Sequence, residues 1–100
     1  MRRVELTASA KADFVVAFVW YEHEQTGLGE AFRLSVQAAQ SLVARRPEGF
    51  PAVDARFKKA VLRRYPYILV FDFDDECVIV HAIFHTAQKP SKLRTRLRKP

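Results

Sequence analysis

Cysteine, glycine and long apolar runs are what this sequence has least of. The single Cys77 excludes an internal disulfide, and its place in the apolar run CVIVHA reads as a buried thiol rather than a nucleophile. Three glycines against 49% hydrophobic and 12% aromatic residues exclude a disordered or low-complexity chain. Apolar stretches are short and broken by charge, so none can span a bilayer, and the opening MRRVELTAS lacks the apolar run of a signal peptide. A cytoplasmic address is expected. Acidic residues are missing from the end of the chain. Residues 1–88 hold eleven Lys/Arg and all eleven Asp/Glu, whereas residues 89–100 hold Lys89, Lys92, Arg94, Arg96, Arg98 and Lys99 with no acid, so the net charge of +6 resides entirely there. Such a basic end suits nucleic acid, an acidic protein or plain solvation; with only Leu93 and Leu97 as apolar anchors, a membrane role ranks last.

One hundred residues is enough for one core and too few for two. The stretch from Arg56 to His85 reads as three strands: a basic one (57–62), a central one (67–73) and a third (77–84), the last two joined by Asp74-Asp75. On the central strand Tyr67, Leu69, Phe71 and Phe73 point one way, and that face can be a core. Upstream, RVEL at 3–6 alternates like a short strand, and Thr7 or Ser9 can cap a helix whose stripe is Ala10, Phe14, Ala17, Phe18 and Tyr21, widened by Val15, Val19 and Trp20. Gly27 and Gly29 make a tight link to a second helix with the stripe Leu28, Phe32, Val36, Ala39 and Leu42/Val43, ending before Pro47. The expected architecture is α+β, in the order β-α-α-β-β-β, with an N-terminal helix hairpin on one face of a small, mainly antiparallel sheet. One domain over 1–90 and a basic tail over 91–100 follow.

Trp20-Tyr21-Glu22, then Gly27-Leu28-Gly29-Glu30-Ala31-Phe32, Arg46-Pro47, Arg63-Arg64-Tyr65-Pro66-Tyr67 and Ile83-Phe84-His85, in this order and spacing, resemble the RelE/ParE superfamily of bacterial toxins from type II toxin–antitoxin modules. The resemblance spans roughly Leu6 to Pro90. It implies a cognate antitoxin that folds onto the toxin in a hetero-oligomer, and no cofactor. It also implies one of two activities. RelE-like members cut messenger RNA on the ribosome; ParE-like members lack that chemistry and poison DNA gyrase.

Cleavage by 2′-hydroxyl attack needs a base, an acid and cations on the phosphate. RelE-like toxins supply lysines on the second strand, an arginine on the central strand, an arginine after the last strand and an aromatic in the tail. Here Lys59 matches one lysine, but the other position is Val61, the central-strand arginine position is Ile68, His85-Thr86-Ala87 follows the last strand, and the tail has no aromatic. The resemblance therefore favours the ParE-like branch. The alternative is a ribosome-dependent endonuclease using His85, Lys59 and Arg63, since histidine as a residue type gives and takes protons near neutral pH. A second alternative is a non-toxic scaffold that only binds the antitoxin.

His81 and His85 are read as facing one side of their strand, four residues or roughly 13 Å apart, too far for one ion to bridge, and no metal site is expected. Arg56, Lys58, Lys59, Arg63 and Arg64 read equally as a solvated edge strand guarded against pairing or as a cationic surface for a partner or target. Trp20 either closes the rim of the core or anchors the antitoxin. With His85 and Lys89, these are the residues expected to contact a partner. Asp72, Asp74, Asp75 and Glu76 read as turn formers and solubilisers.

Overall fold

The computed structural model describes residues 1–98; Lys99 and Pro100 lie outside the described residues. The chain opens with β1 (Arg3–Leu6). Thr7 then takes an extended backbone, its Oγ1 accepts from the Ala10 amide at 3.1 Å, and helix α1 (Ala8–Glu24) follows. Ala10 and Ala17 are buried, and Phe14, Phe18 and Tyr21 continue the same side. Val15, Val19 and Trp20, expected to widen the stripe, are 56–57% exposed and with Val16 coat the outside of the helix instead.

Helix α2 (Leu28–Arg45) starts at Gly27, which sits at φ +96 and has no side chain to cap with. Glu22 at the end of α1 supplies the cap. Its carboxylate accepts from the Gly27 amide at 3.1 Å and the Gly29 amide at 2.9 Å, ending the hairpin turn and satisfying the first turn of α2 at once. Phe32, Val36, Ala39 and Val43 face inward while Leu42 stays outside, which decides the Leu42/Val43 ambiguity. A single 3-10 turn (Pro47–Gly49) leads out.

Three strands complete the sheet: β2 (Lys58–Val61), β3 (Tyr67–Phe73) and β4 (Cys77–His85). The sheet order is β1-β4-β3-β2, with β1 parallel to β4 and the other pairs antiparallel. The α+β architecture and the order β-α-α-β-β-β are those expected. Phe32 centres the main core. Its ring lies 5.2 to 5.8 Å from those of Phe14, Tyr21, Tyr65 and Tyr67, over Leu69, Phe71, Val78 and Val80.

Two features differ from the expected plan. Between β3 and β4 the register shifts by one: Val70 pairs with Ala82 but Phe71 pairs with Val80, leaving His81 over as a bulge. Val78 and Val80 therefore face the helix hairpin while Ala82 and Phe84 face the other way, and the sheet has a core on both sides. The second core is closed by the supposed tail. Residues Pro90–Arg98 form helix α3, with proline in the favourable first position, and Leu93 and Leu97 pack on Phe57, Val70, Ala82 and Phe84. Arg96 ties α3 to α1 through a two-pronged pair with Asp13, at 2.7 and 3.2 Å, and Asp13 also accepts from the Ile83 amide. Lys92, Arg94, Arg96 and Arg98 thus belong to a docked helix rather than a free end.

Gly29 has a packing reason to be glycine. A Cβ there meets Glu22 Oε1 at 2.9 Å and Phe18 Cζ at 3.0 Å, and that Glu22 oxygen is the one capping α2. Gly29→Ala is therefore expected to destabilise by about 1 kcal/mol in urea unfolding although alanine is the better helix former, and Glu22→Ala by a similar amount through the lost cap.

Candidate functional site

The residues expected to meet a partner are dealt to three surfaces. Arg56 stays near the second core: its Nε donates to Asp72 Oδ2 at 2.8 Å and its guanidinium lies 4.7 Å from the Phe57 ring centroid. Asp72 Oδ1 is 2.8 Å from His81 Nε2, and the His81 ring packs edge-on to Phe57 at 5.0 Å. Asp72 is thus a strand residue binding Arg56 and His81 together, not a turn former. Asp74 does make the turn, with Oδ1 accepting from the Glu76 and Cys77 amides at 2.8 Å each.

Lys58 and Lys59 face opposite sides of β2. Lys58 pairs across to Phe71, and its Nζ donates to the Phe50 carbonyl at 2.9 Å, a contact within the main core's rim. Lys59 pairs across to Val70, on the side of the second core, and its amide donates to the Pro51 carbonyl at 3.0 Å. His85 pairs with Tyr67 on the side of the main core, its ring 4.9 Å from the tyrosine ring. His85 Nδ1 accepts from the Ala87 amide at 3.0 Å, which fixes the ring against the strand end.

His81 and His85 therefore lie on opposite faces of the sheet, not the same one, because the bulge reverses the alternation between them. The same reversal separates His85 from Lys59, and the three residues of the endonuclease alternative do not converge. Where RelE-like toxins carry a lysine and an arginine, Val61 and Ile68 are direct cross-strand partners, and Ile68 pairs onward with Phe84. Ile68 and Phe84 pack in the core that α3 closes, whereas Val61 is exposed at the end of β2 beside α2. Cys77 is buried, and its thiol donates to Glu5 Oε2 at 3.0 Å; this bond pushes the thiol up and holds the Glu5 carboxyl below the usual carboxylate range. Such a thiol is a poor nucleophile.

Arg63 and Arg64 are exposed and line a groove of about 450 Å³ between α2 and β2. Ser35 Oγ on α2 donates to the Arg63 carbonyl at 3.1 Å and pins this loop to the helix. Arg64 takes φ +70, a conformation disfavoured for a residue with a side chain, immediately before Tyr65 turns into the main core. Trp20 belongs to a separate patch with Val15, Val16 and Val19, its ring 5.1 Å from that of Tyr21. Lys89 is exposed, and its carbonyl accepts from the Lys92 amide in the first turn of α3. The groove itself was not legible beforehand; exposed Leu34 and Leu42 on α2 were its one sequence signal.

The fold is an α+β one, with two helices over a four-stranded, mostly antiparallel sheet. No family model matches the sequence, and no curated protein matches it. Nine chains of solved structures do match. Among them, a chain of the chromosomal ParDE TA system from P. aeruginosa aligns with a TM-score of 0.74 at 13% identity, over 85% of this chain and 96% of that one. The fold implied by the resemblance is thus the fold found. Among the described residues no helix is long and apolar enough to cross a membrane.

The loop entering β2 is held by one carboxylate. Asp54 Oδ1 accepts from the Arg56 and Phe57 amides at 2.8 Å each, and these bonds, that to Phe57 first, lower its pKa from the ordinary aspartate value. A folded-state pKa below the unfolded one adds stability that is present above the unfolded value of about 4 and lost as pH falls through the folded value. Asp54→Asn keeps an acceptor without the titration, so its urea midpoint is expected to fall less than that of the parent between pH 5 and pH 2.

Proposed function

We propose that this chain is the toxin of a type II toxin–antitoxin module, of the ParE-like branch, held in a hetero-oligomer by a cognate antitoxin and acting in the cytoplasm by binding DNA gyrase. The likeness to a chain of a ParDE TA system supports the module, and the sequence resemblance over Leu6 to Pro90 supports it independently. One observation carries the branch. Two positions where RelE-like chemistry needs cations are held by the cross-strand apolar pair Val61 and Ile68, and Ile68 packs with Phe84 in the core that α3 closes.

The remaining polar groups do not repair that loss. His85 is tied to the Ala87 amide and lies across the sheet from Lys59, while Arg63 faces the α2 groove. General acid–base catalysis requires such groups within hydrogen-bond reach of one reacting centre. Binding asks less of them. Exposed cations and apolar patches can recognise a partner wherever they sit on the surface.

Purified chain is expected to trap DNA cleavage complexes when mixed with gyrase and plasmid, to leave transcripts intact in the presence of ribosomes, and to do both unchanged after His85→Ala. Ribosome-dependent transcript cleavage that His85→Ala abolishes would overturn the proposal in favour of an endonuclease. Inertness in both assays would leave only an antitoxin-binding scaffold.

A further inference from the structure

Helix α1 is apolar on both sides, and the chain covers one of them. The inner side packs on α2 and the sheet through Ala10, Phe14, Ala17 and Tyr21. The outer side carries Ala12, Val16, Val19 and His23, spaced four, three and four residues apart like the seam of a helix pair, with Val15 and Trp20 flanking it. All six are exposed, Val16 at 71% and Val19 at 57%. A helix that is apolar all round belongs in an interior, so this one lacks a neighbour on its second side. The ends of the outer face carry opposite charges, Lys11 and Glu24, both exposed and neither in an ion pair among the described residues. Each has the wrong sign for its own helix: a cation near the amino end and a carboxylate at the last residue both oppose the macrodipole.

We propose that the outer face of α1 is an interface with a second copy of this chain, the two helices running antiparallel about a two-fold axis that passes between residues 17 and 18. That one register pairs Val16 with Val19 of the second copy, Val15 with Trp20, Ala12 with His23 and Lys11 with Glu24, each pair being equidistant from the axis. The seam is then apolar at its centre and closed by an ion pair at each end, and each helix end gains the charge its dipole favours. Charge selects this occupant. A uniformly acidic or basic segment would satisfy one end of the face and be repelled at the other, and an anionic lipid surface asks for cations where Glu24 stands. Lys11 to Glu24 spans roughly 20 Å of helix. One helix pair of that length falls short of the about 1,200 Å² of a standard interface, and the net charge of +6 on each copy opposes association, so the dimer is weak, with a Kd on the order of 10 µM.

Pairing through α1 does not depend on the toxin–antitoxin reading. The test is sedimentation equilibrium of the full chain from about 1 to about 300 µM, with the emission of Trp20, the one tryptophan in the sequence, followed in parallel. Monomer is expected to give way to dimer across this range, and Trp20 emission to shift to the blue as its ring leaves water. Val16→Glu is expected to weaken association about 30-fold or more while leaving the urea midpoint of the dilute chain unchanged, since that side chain is mostly exposed. Lys11→Glu is expected to weaken association about tenfold even though it raises the urea midpoint of the dilute chain by suiting the helix dipole. Adding Glu24→Lys to Lys11→Glu restores association to the parent level, because the reversed charges still meet across the antiparallel pair. A chain that stays monomeric throughout, or a dimer that Val16→Glu leaves intact, would overturn the inference. So would a double reversal that associates no better than Lys11→Glu alone.

Discussion

The pairing of β3 with β4 is the interaction on which the rest of the molecule depends. Seven residue pairs join these strands, with one residue to spare at His81. Without that extra residue β4 would alternate in a single phase from Cys77 to His85, and its second half would put Ala82 and Phe84 under the helix hairpin and Ile83 outside. With it, Val78, Val80 and Ile83 join the main core, while Ala82 and Phe84 turn to a second one. Helix α3 has a place to dock only because of this change of phase. A bulge in one central strand therefore produces a three-layered molecule from a sequence that reads as two layers.

The chemistry follows from the same constraint. His81 is brought to Asp72 and Phe57, where it serves packing, and His85 to Tyr67, where its ring is fixed at the strand end. Lys59, across from Val70, lies on the side away from His85. Groups that could have shared a phosphate are kept on opposite faces of a sheet. What remains accessible are surfaces suited to recognition: the groove beside α2 lined by Arg63 and Arg64, and the apolar outer face of α1.

The local grammar of the fold was legible in the sequence, and its exceptions were not. Strands at 3–6 and 67–73, the Thr7 cap and the inward stripes of both helices follow from alternation, helical spacing and capping chemistry. The bulge is invisible in VIVHAIF because every residue there suits a strand, and only pairing with β3 reveals the extra one. Helix α3 was hidden by composition. Leu93 and Leu97 stand one helical turn apart among cations, a weak stripe until a second apolar face of the sheet is available to receive it. Glu22 was visible as part of a family-like run, but its role in closing the turn onto Gly27 and Gly29 needs the three-dimensional approach of two helices. Arg63 and Arg64 could be counted as cations; that they line an α2 groove depends on the bond between Ser35 and the Arg63 carbonyl.

The phase change at His81 is best tested by nuclear Overhauser contacts from the two imidazole rings in solution. The account predicts contacts from the His81 ring protons to Phe57 and from the His85 ring protons to Tyr67, with no ring shared. Contacts from both imidazoles to Tyr67 and its neighbours in the main core would place the two histidines on one face and contradict the account.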